Sequence, residues 1–285
     1  MQPQCYGVIG NPIGHSLSPQ IHEAFSRLTG IPLFYQRISA AVSEDGADFR
    51  KTTLQFFAQG GAGLNVTAPF KDFALSFADE AAPRAQKAGA GNTLSKITDG
   101  WRADNTDGIG FVRDLERQWG RSAQNARILI YGAGGATAGI LEPLLAQKPR
   151  LLWLYNRTPQ KTQALAERFA DDGKIAVLSS LKSLPDEPFD LIINAISARI
   201  WKDAESLWKM PTTMPDTFFY DLMYMPDDTP FLRWVKTYGK TRYCDGLGML
   251  IEQAAESFLI WHGVFPDTTS LHSHASLIEL RAFRP

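Results

Sequence analysis

The chain has 285 residues, 44% hydrophobic and 21% charged, enough apolar material for the cores of two ordinary domains. Lysine plus arginine number 29 against 30 for aspartate plus glutamate, with no block of one sign, which speaks against a nucleic-acid or acidic-membrane partner. Cys5 and Cys244 lack metal-ligand spacing, no apolar run reaches the roughly 18–20 residues of a membrane helix, and MQPQCYGVIG lacks a signal-peptide pattern, so a soluble cytoplasmic protein with reduced thiols is predicted.

Tyr6–Ile9 reads as a short buried strand, followed by the loop GNPIG. Ser18-Pro19 predicts a helix start, with Ser18 as N-cap and Pro19 first in the helix. Ile21, Ala24, Phe25 and Leu28 recur at helical spacing as its apolar face, and Gly30 closes it. Strand–helix alternation continues to about residue 100, resumes with a strand at Arg127–Tyr131, and runs to about residue 240. DGLGM, starting at Asp245, opens a long helix rich in Met, Leu, Ala and Phe. The fold class is α/β: two α/β domains with mainly parallel sheets and a cleft between them.

ILIYGAGGATAG, 128 to 139, is an apolar strand running into glycines and then into the helix ILEPLLAQ. Gly132 and Gly134 allow a tight turn and close approach of backbone amides to a pyrophosphate at the helix N-terminus. Thr137 stands where the third glycine of the plain dinucleotide pattern belongs, and Gly135 and Gly139 give a variant spacing. The next strand, LLWLYNRT, ends in Asn156, Arg157 and Thr158, where an NAD-binding unit places an acid on the ribose 2′-hydroxyl. Arg157, with Thr158 beside it and Lys161 one helical turn on, offers donors to a 2′-phosphate, so NADP(H) is the expected cofactor.

Hydride transfer to a carbonyl also needs a proton donor and groups that hold the substrate. Four segments supply candidates: Ser16 and Ser18 at a helix start; Asn65, Thr67 and Lys71 in NVTAPFK; Asn92 and Thr93 in AGAGNTL; Asn105, Thr106 and Asp107 in ADNTDGIG. His15 reads as a packing or hydrogen-bonding residue. His22 and His262 have no ligand-spaced partner, so no metal site is expected. Met223 and Met225 flank Tyr224 and read equally as a soft wall near a nicotinamide or as packing.

The ordered set GNPIGHSLSP, NVTAPFK, GNTL, NTDGIG, GAGGATAG, NRT, YDLMY and DGLGMLIEQAAESF closely resembles the shikimate dehydrogenase family, from residue 7 to about 263. The resemblance implies reversible NADPH-dependent reduction of 3-dehydroshikimate to shikimate, in the pathway to aromatic amino acids. It implies Lys71 and Asp107 as the catalytic pair, Ser16 and Ser18 on the substrate carboxylate, Thr67, Asn92 and Gln253 on its hydroxyls and carboxylate side, and Tyr220 lining the site. Gly132, Gly134, Gly135, Asn156, Arg157 and Thr158 match the cofactor loops, joined by Lys161 and by Gly246 of the DGLGM turn.

Burial of Lys71 would favour the neutral amine and Asp107 the ammonium, a balance that suits a proton relay. The implied domains are residues 1–106 for substrate, completed by helices within 242–285, and a Rossmann-like NADP-binding domain over 107–241. Gln253 must then return to Asn92 and Thr67. A small-molecule substrate and a monomer or homodimer are expected. The chain departs from the family pattern at Ile196, Arg199, Ala138 and Gly91. A quinate/shikimate dehydrogenase using NAD and a non-catalytic NADP(H)-binding regulatory paralogue are alternatives. The Asn156–Arg157–Thr158 triple speaks against the first; Lys71, Asp107, the serine pair and Gln253 together speak against the second.

Overall fold

Both ends of the chain contribute to one compact unit, Met1–Gly110 with Leu250–Pro285, and Phe111–Met249 forms the other. The computed structural model describes residues 3–196 and 208–282; Arg199 lies outside them.

The first unit opens with β1 (Gln4–Gly10), α1 (Ser18–Thr29), β2 (Leu33–Ser39), α2 (Ala47–Ala58), β3 (Gly61–Val66) and α3 (Lys71–Phe77). It continues with β4 (Glu80–Ala81), α4 (Pro83–Ala88), β5 (Thr93–Ile97), β6 (Gly100–Asp104) and the start of α5 (Asp107–Trp119). The second unit holds β7 (Arg127–Tyr131), α6 (Gly135–Ala146), β8 (Leu151–Tyr155), α7 (Pro159–Arg168), β9 (Ile175–Leu178), β10 (Phe189–Asn194), β11 (Thr213–Asp221), α8 (Pro230–Thr237) and β12 (Tyr243–Cys244). The chain returns to the first unit within α9 (Leu247–His262) and ends in α10 (His274–Ala282). Both passages between units run inside helices, α5 and α9, so the division falls a few residues beyond 106 and 241.

The first sheet has the order β2-β1-β3-β5-β6-β4, with β5 antiparallel to β3 and β6. Parallel pairing of β1 and β3 sets Val8 opposite Asn65, and the antiparallel step sets Asn65 opposite Thr93. Two polar side chains thus meet in the middle of a buried sheet. Ile9, Leu64, Val66, Phe49, Phe70 and Leu94 form the core on one side, and Tyr6, Val8, Ile13 and Tyr35 form a smaller one.

Two expectations for α1 are corrected. Ser18 lies inside the helix, with Leu17 at the cap position and no side-chain cap. The buried stripe is Ser18, Ile21, His22 and Phe25, while Leu28 is exposed. A count of apolar residues passes over His22, yet its ring lies flat on Tyr35 at 4.3 Å and 9° and contacts Phe25 and Phe258. Burial, then the nearby His262, pushes its pKa down to about 3, so it packs as a neutral aromatic.

The second sheet runs β12-β11-β10-β7-β8-β9, and all of its pairings are parallel. This is the doubly wound dinucleotide-binding order, with its topological switch between β7 and β10. Strands enclosed on both faces read as continuous apolar runs. Ile128, Leu129, Ile130 and Tyr131 of β7 and Leu191, Ile192 and Ile193 of β10 are accordingly all at 0% exposure.

Candidate active site

Lys71 is the first residue of α3, and the preceding Phe70 is fully buried against Phe49. The turn before it closes from Phe70 N–H to Thr67 O at 3.0 Å. This anchor aims Lys71 at Asp107, the first residue of α5, where the helix end favours an anion. Lys71 Nζ donates to Asp107 Oδ2 at 2.5 Å, with the two side chains 26% and 8% exposed. Asn105 Oδ1 accepts from the Asp107 backbone N–H at 3.1 Å and so fixes the turn that presents the carboxylate.

Asn92 holds the other carboxylate oxygen. Its Nδ2 donates to Asp107 Oδ1 at 2.8 Å. The sense of this amide is dictated by Thr106 N–H, a donor only, which lies 2.8 Å from Asn92 Oδ1. Thr106 Oγ1 at 2.8 Å and Gln253 Oε1 at 3.2 Å also lie within reach of Nδ2. Gln253 Oε1 also lies 3.3 Å from the Thr106 hydroxyl, so Asn92, Thr106 and Gln253 share their hydrogen bonds around one point. Gln253 reaches this point because α9 meets α5 at Gly110, where an added Cβ would lie 2.5 Å from Gln253 N.

Behind Asn92 the network continues. Asn65 Nδ2 donates to Ser257 Oγ at 3.0 Å and to Asn92 O at 3.2 Å, and Asn65 Oδ1 accepts from Tyr35 OH at 2.7 Å. Tyr35 also lies against Ser18, and burial raises its pKa well above the usual value. Ser16 Oγ donates to Ser18 Oγ at 3.2 Å at the start of α1. Arg84 closes the rear by donating to Asp104 at 2.5 and 3.1 Å and to Glu256 of α9 at 3.0 Å. The structure therefore brings Lys71, Asp107, Asn92 and Gln253 into one hydrogen-bonded group, linked through Asn65 and Tyr35 to the serine pair. Thr67 is held beside β1 by its N–H on Ile9 O at 2.9 Å, outside that hydrogen-bonded group.

In the second unit, Gly132 ends β7 with φ 111°, and a Cβ there would lie 2.8 Å from Ala195 O at the end of β10. Only glycine suits that turn. Thr137, in the place of the third glycine, donates its hydroxyl to Gly132 O at 2.9 Å and so satisfies a buried carbonyl. Gly134 and Gly135 differ, because a Cβ on either would meet nothing within 4 Å. No packing among the described residues requires glycine at these two positions, and the uncapped start of α6 beside them is open to an anion.

Arg157, Thr158 and Lys161 are exposed just past β8, and neither cation has an ion-pair partner among the described residues. Asn156 Nδ2 donates to Thr158 O at 3.1 Å and shapes that corner. Ala138 is buried in the core, so it offers this corner no polar group. A pyrophosphate at the glycines and a 2′-phosphate at Arg157 and Lys161 fit these residues. Gly246 has a packing reason of its own: its Cβ would lie 2.3 Å from Leu222 O.

Tyr220 is corrected. It is fully buried within the second unit, its OH donates to Asp114 Oδ2 at 2.5 Å, and Phe111 meets its ring edge-on at 5.0 Å. A side chain on an inner strand covered on both faces has no surface to present to a substrate. Tyr224, just past the end of β11, is half-buried and stands at the carboxyl edge where such sheets bind ligands. Position along the strand was the signal: Tyr220 lies within β11 and Tyr224 beyond it.

Residues 8–94 match the model of the shikimate dehydrogenase substrate binding domain. Residues 114–222 match that of shikimate / quinate 5-dehydrogenase, and 246–270 that of the shikimate 5′-dehydrogenase C-terminal domain. The shikimate dehydrogenase (NADP(+)) of Aromatoleum aromaticum is 46% identical over 270 residues, covering 93% of this chain and 94% of that protein. Among solved structures, an Ael1 enzyme from Pseudomonas putida has a TM-score of 0.80 and 39% identity, covering 94% of this chain and 96% of that one. The shikimate 5-dehydrogenase of Thermus thermophilus in complex with NADP(H) and shikimate has a TM-score of 0.79 and 28% identity, covering 98% of both chains.

Proposed function

This chain belongs to the shikimate dehydrogenase family, and from that premise we propose that Lys71 and Asp107 act as the acid–base pair in NADPH-dependent reduction of 3-dehydroshikimate to shikimate. The chain is an NADP-dependent oxidoreductase of the shikimate pathway. The observation that carries the mechanism is the carboxylate of Asp107 held on both oxygens, by Lys71 on one and by Asn92 on the other.

Bound NADPH supplies the hydride. The Lys71 ammonium gives a proton to the substrate carbonyl oxygen as that carbonyl becomes a hydroxyl, and the neutral amine is then reprotonated from solvent. Asp107 keeps the ammonium aimed and stabilises its charge. General acid help of this kind is worth roughly 10² to 10⁴ in rate. Ser16 and Ser18 hold the substrate carboxylate, while Asn92, Gln253 and Thr67 orient its hydroxyls. Arg157, Thr158 and Lys161 hold the 2′-phosphate of NADP(H), and Gly132, Gly134 and Gly135 admit its pyrophosphate.

Substrate binding falls to the unit built from the two ends of the chain, and cofactor binding to the unit between them. Among the described residues no helix is long and apolar enough to cross a membrane. Cys5 and Cys244 form no disulfide among the described residues, which supports a cytoplasmic location, and a monomer or homodimer is the assembly we propose.

The test follows NADPH absorbance with shikimate and quinate, each paired with NADP⁺ and NAD⁺, in wild type and Lys71→Ala. Turnover confined to shikimate with NADP⁺ and lost by orders of magnitude in Lys71→Ala is the expected result. Equal or better use of quinate with NAD⁺ would reassign the substrate, and NADPH binding without any turnover would reassign the protein as a sensor.

A further inference from the structure

Arg37 lies on β2, outside every motif that marks the site. Its guanidinium nevertheless grips one backbone oxygen of the serine loop, with Nε at 2.9 Å and Nη2 at 2.6 Å from Ser16 O. Nη2 also donates to Gln20 Oε1 at 3.1 Å, one turn into α1. The half-buried arginine therefore spans the start of α1 from the side of β2.

Three features at that helix end share one electrostatic sense. The Ser16–Leu17 peptide is trans, the cis bonds among the described residues being Asn11–Pro12 and Ala68–Pro69. Its N–H therefore points away from the guanidinium that holds its carbonyl. The first turn of α1 carries no acidic residue, Pro19 brings no N–H, and Ser18 N–H reaches only the neutral Ser16 Oγ at 3.4 Å, so no negative charge within the helix offsets the partial positive charge of this end. Ser16 and Ser18 stand at the same end, 7% and 5% exposed, their hydroxyls bonded to each other. A formal positive charge on Ser16 O polarises that peptide in the direction that strengthens its N–H as a donor.

We propose that Arg37 is the positioning residue of the carboxylate subsite: it fixes the 16–17 peptide and supplies the charge that makes this end of the site select an ionised carboxylate over a neutral group. The inference rests on the shikimate dehydrogenase reading, with Ser16 and Ser18 at the substrate carboxylate. Arg37 acts through the serine loop and touches no reacting atom. Its loss is therefore felt in substrate binding, leaving the chemical step intact.

The experiment compares shikimate with its methyl ester, each with NADP⁺, in wild type, Arg37→Gln and Arg37→Lys. Glutamine keeps a donor for Ser16 O and removes the charge; lysine keeps the charge and one donor. In Arg37→Gln, KM for shikimate should rise about tenfold, the low end for a lost charged contact. Its kcat, and the KM of the ester, should stay within about twofold, so the preference for acid over ester falls about tenfold. Arg37→Lys should keep that preference within about threefold of wild type, and a loss as large as that in Arg37→Gln overturns the inference. Equal KM increases for acid and ester in Arg37→Gln would mark a structural prop only, and unchanged values for both would leave Arg37 no role; either result overturns it. Should Arg37→Gln fail to fold, Arg37→Ala takes its place, and an acid preference unchanged from wild type in that variant overturns the inference. Absence of turnover by the wild type overturns the family-based function and this inference with it, whereas wild-type turnover with an unaltered acid preference in Arg37→Gln overturns this inference alone.

Discussion

Asn92 and Arg157 are both polar residues beside a strand, and the protein treats them in opposite ways. Asn92 is 2% exposed, and its amide meets Asp107, Thr106, Thr93 and Gln253. Arg157 is exposed and has no ion-pair partner among the described residues. A buried polar group left without partners costs roughly 1–3 kcal/mol, so the substrate side must be completed within the protein and is rigid in advance. An exposed guanidinium loses little by waiting in water for a phosphate. The two halves of the chemistry therefore rest on different physics, and substitutions in them should fail differently.

The largest effect should come from Lys71→Ala. We expect kcat to fall about 10² to 10⁴-fold, with cofactor affinity unchanged. Titration with NADP⁺ followed by steady-state kinetics checks both parts, and a loss of less than tenfold would remove Lys71 from the proton step. Next comes Asn92→Ala, which strips the hub and leaves Thr106 N–H and Asp107 short of partners. Its urea midpoint should drop by the equivalent of about 1–3 kcal/mol, together with a fall in kcat. If activity vanished while the midpoint held, the network would be catalytic without being structural, and the contrast between the two sites would weaken.

Arg157→Ala should do the reverse. Its urea midpoint should match wild type, while KM for NADP⁺ rises about tenfold to thirtyfold and KM for NAD⁺ stays put, as expected for one charged contact to a phosphate. A parallel rise with NAD⁺ would mean that Arg157 shapes the loop and does not read the 2′-phosphate.

How much of this was legible in the sequence follows the same divide. The cofactor corner is local: β7, its glycines, β8 and Asn156–Arg157–Thr158 lie within about thirty residues, the span of one strand–helix–strand unit. Strand Arg127–Tyr131 was readable to the residue because a strand enclosed on both faces is a plain apolar run. The substrate side draws Asn65, Asn92, Asp107 and Ser257 from across the first unit. Its members were recognisable as candidates, yet nothing local showed that Asn65 reaches Ser257 or that Arg37 holds Ser16. Tyr220, on β11, was misplaced because its partner, Asp114, lies on a helix far back in the chain. His22 was passed over because hydropathy counts a histidine as polar, although burial makes it neutral and lets it stack.

The smallest effect concerns pH, and it sets the two units against each other. His22 of the first unit has its pKa pushed from 6.5 down to about 3 by burial and then by His262. Between those values the unfolded chain binds the proton that the folded protein refuses, so the stability His22 contributes is present above pH 6.5 and is lost as pH falls towards 3. Asp221 of the second unit has the opposite sense. Burial raises it from 3.8 to about 6, against bonds from Thr229, Met223 N–H and Asn194 that favour the carboxylate. The folded protein then holds the proton more tightly, so the contribution of Asp221 is present below pH 3.8 and is lost as pH rises through 6. Each slope is bounded at about 1.4 kcal/mol per pH unit for a single proton, and the two partly cancel in the whole chain. Urea unfolding from pH 7 to 4.5 should separate them. His22→Phe, which keeps the flat ring against Tyr35, should lose less stability on acidification than wild type. Asp221→Asn, which can still accept from Asn194 and donate to Thr229, should lose more, because the compensating gain is gone. Parallel curves for His22→Phe and wild type would show that His22 is not held neutral by its unit, and a shallower curve for Asp221→Asn would reverse the sign assigned to its burial.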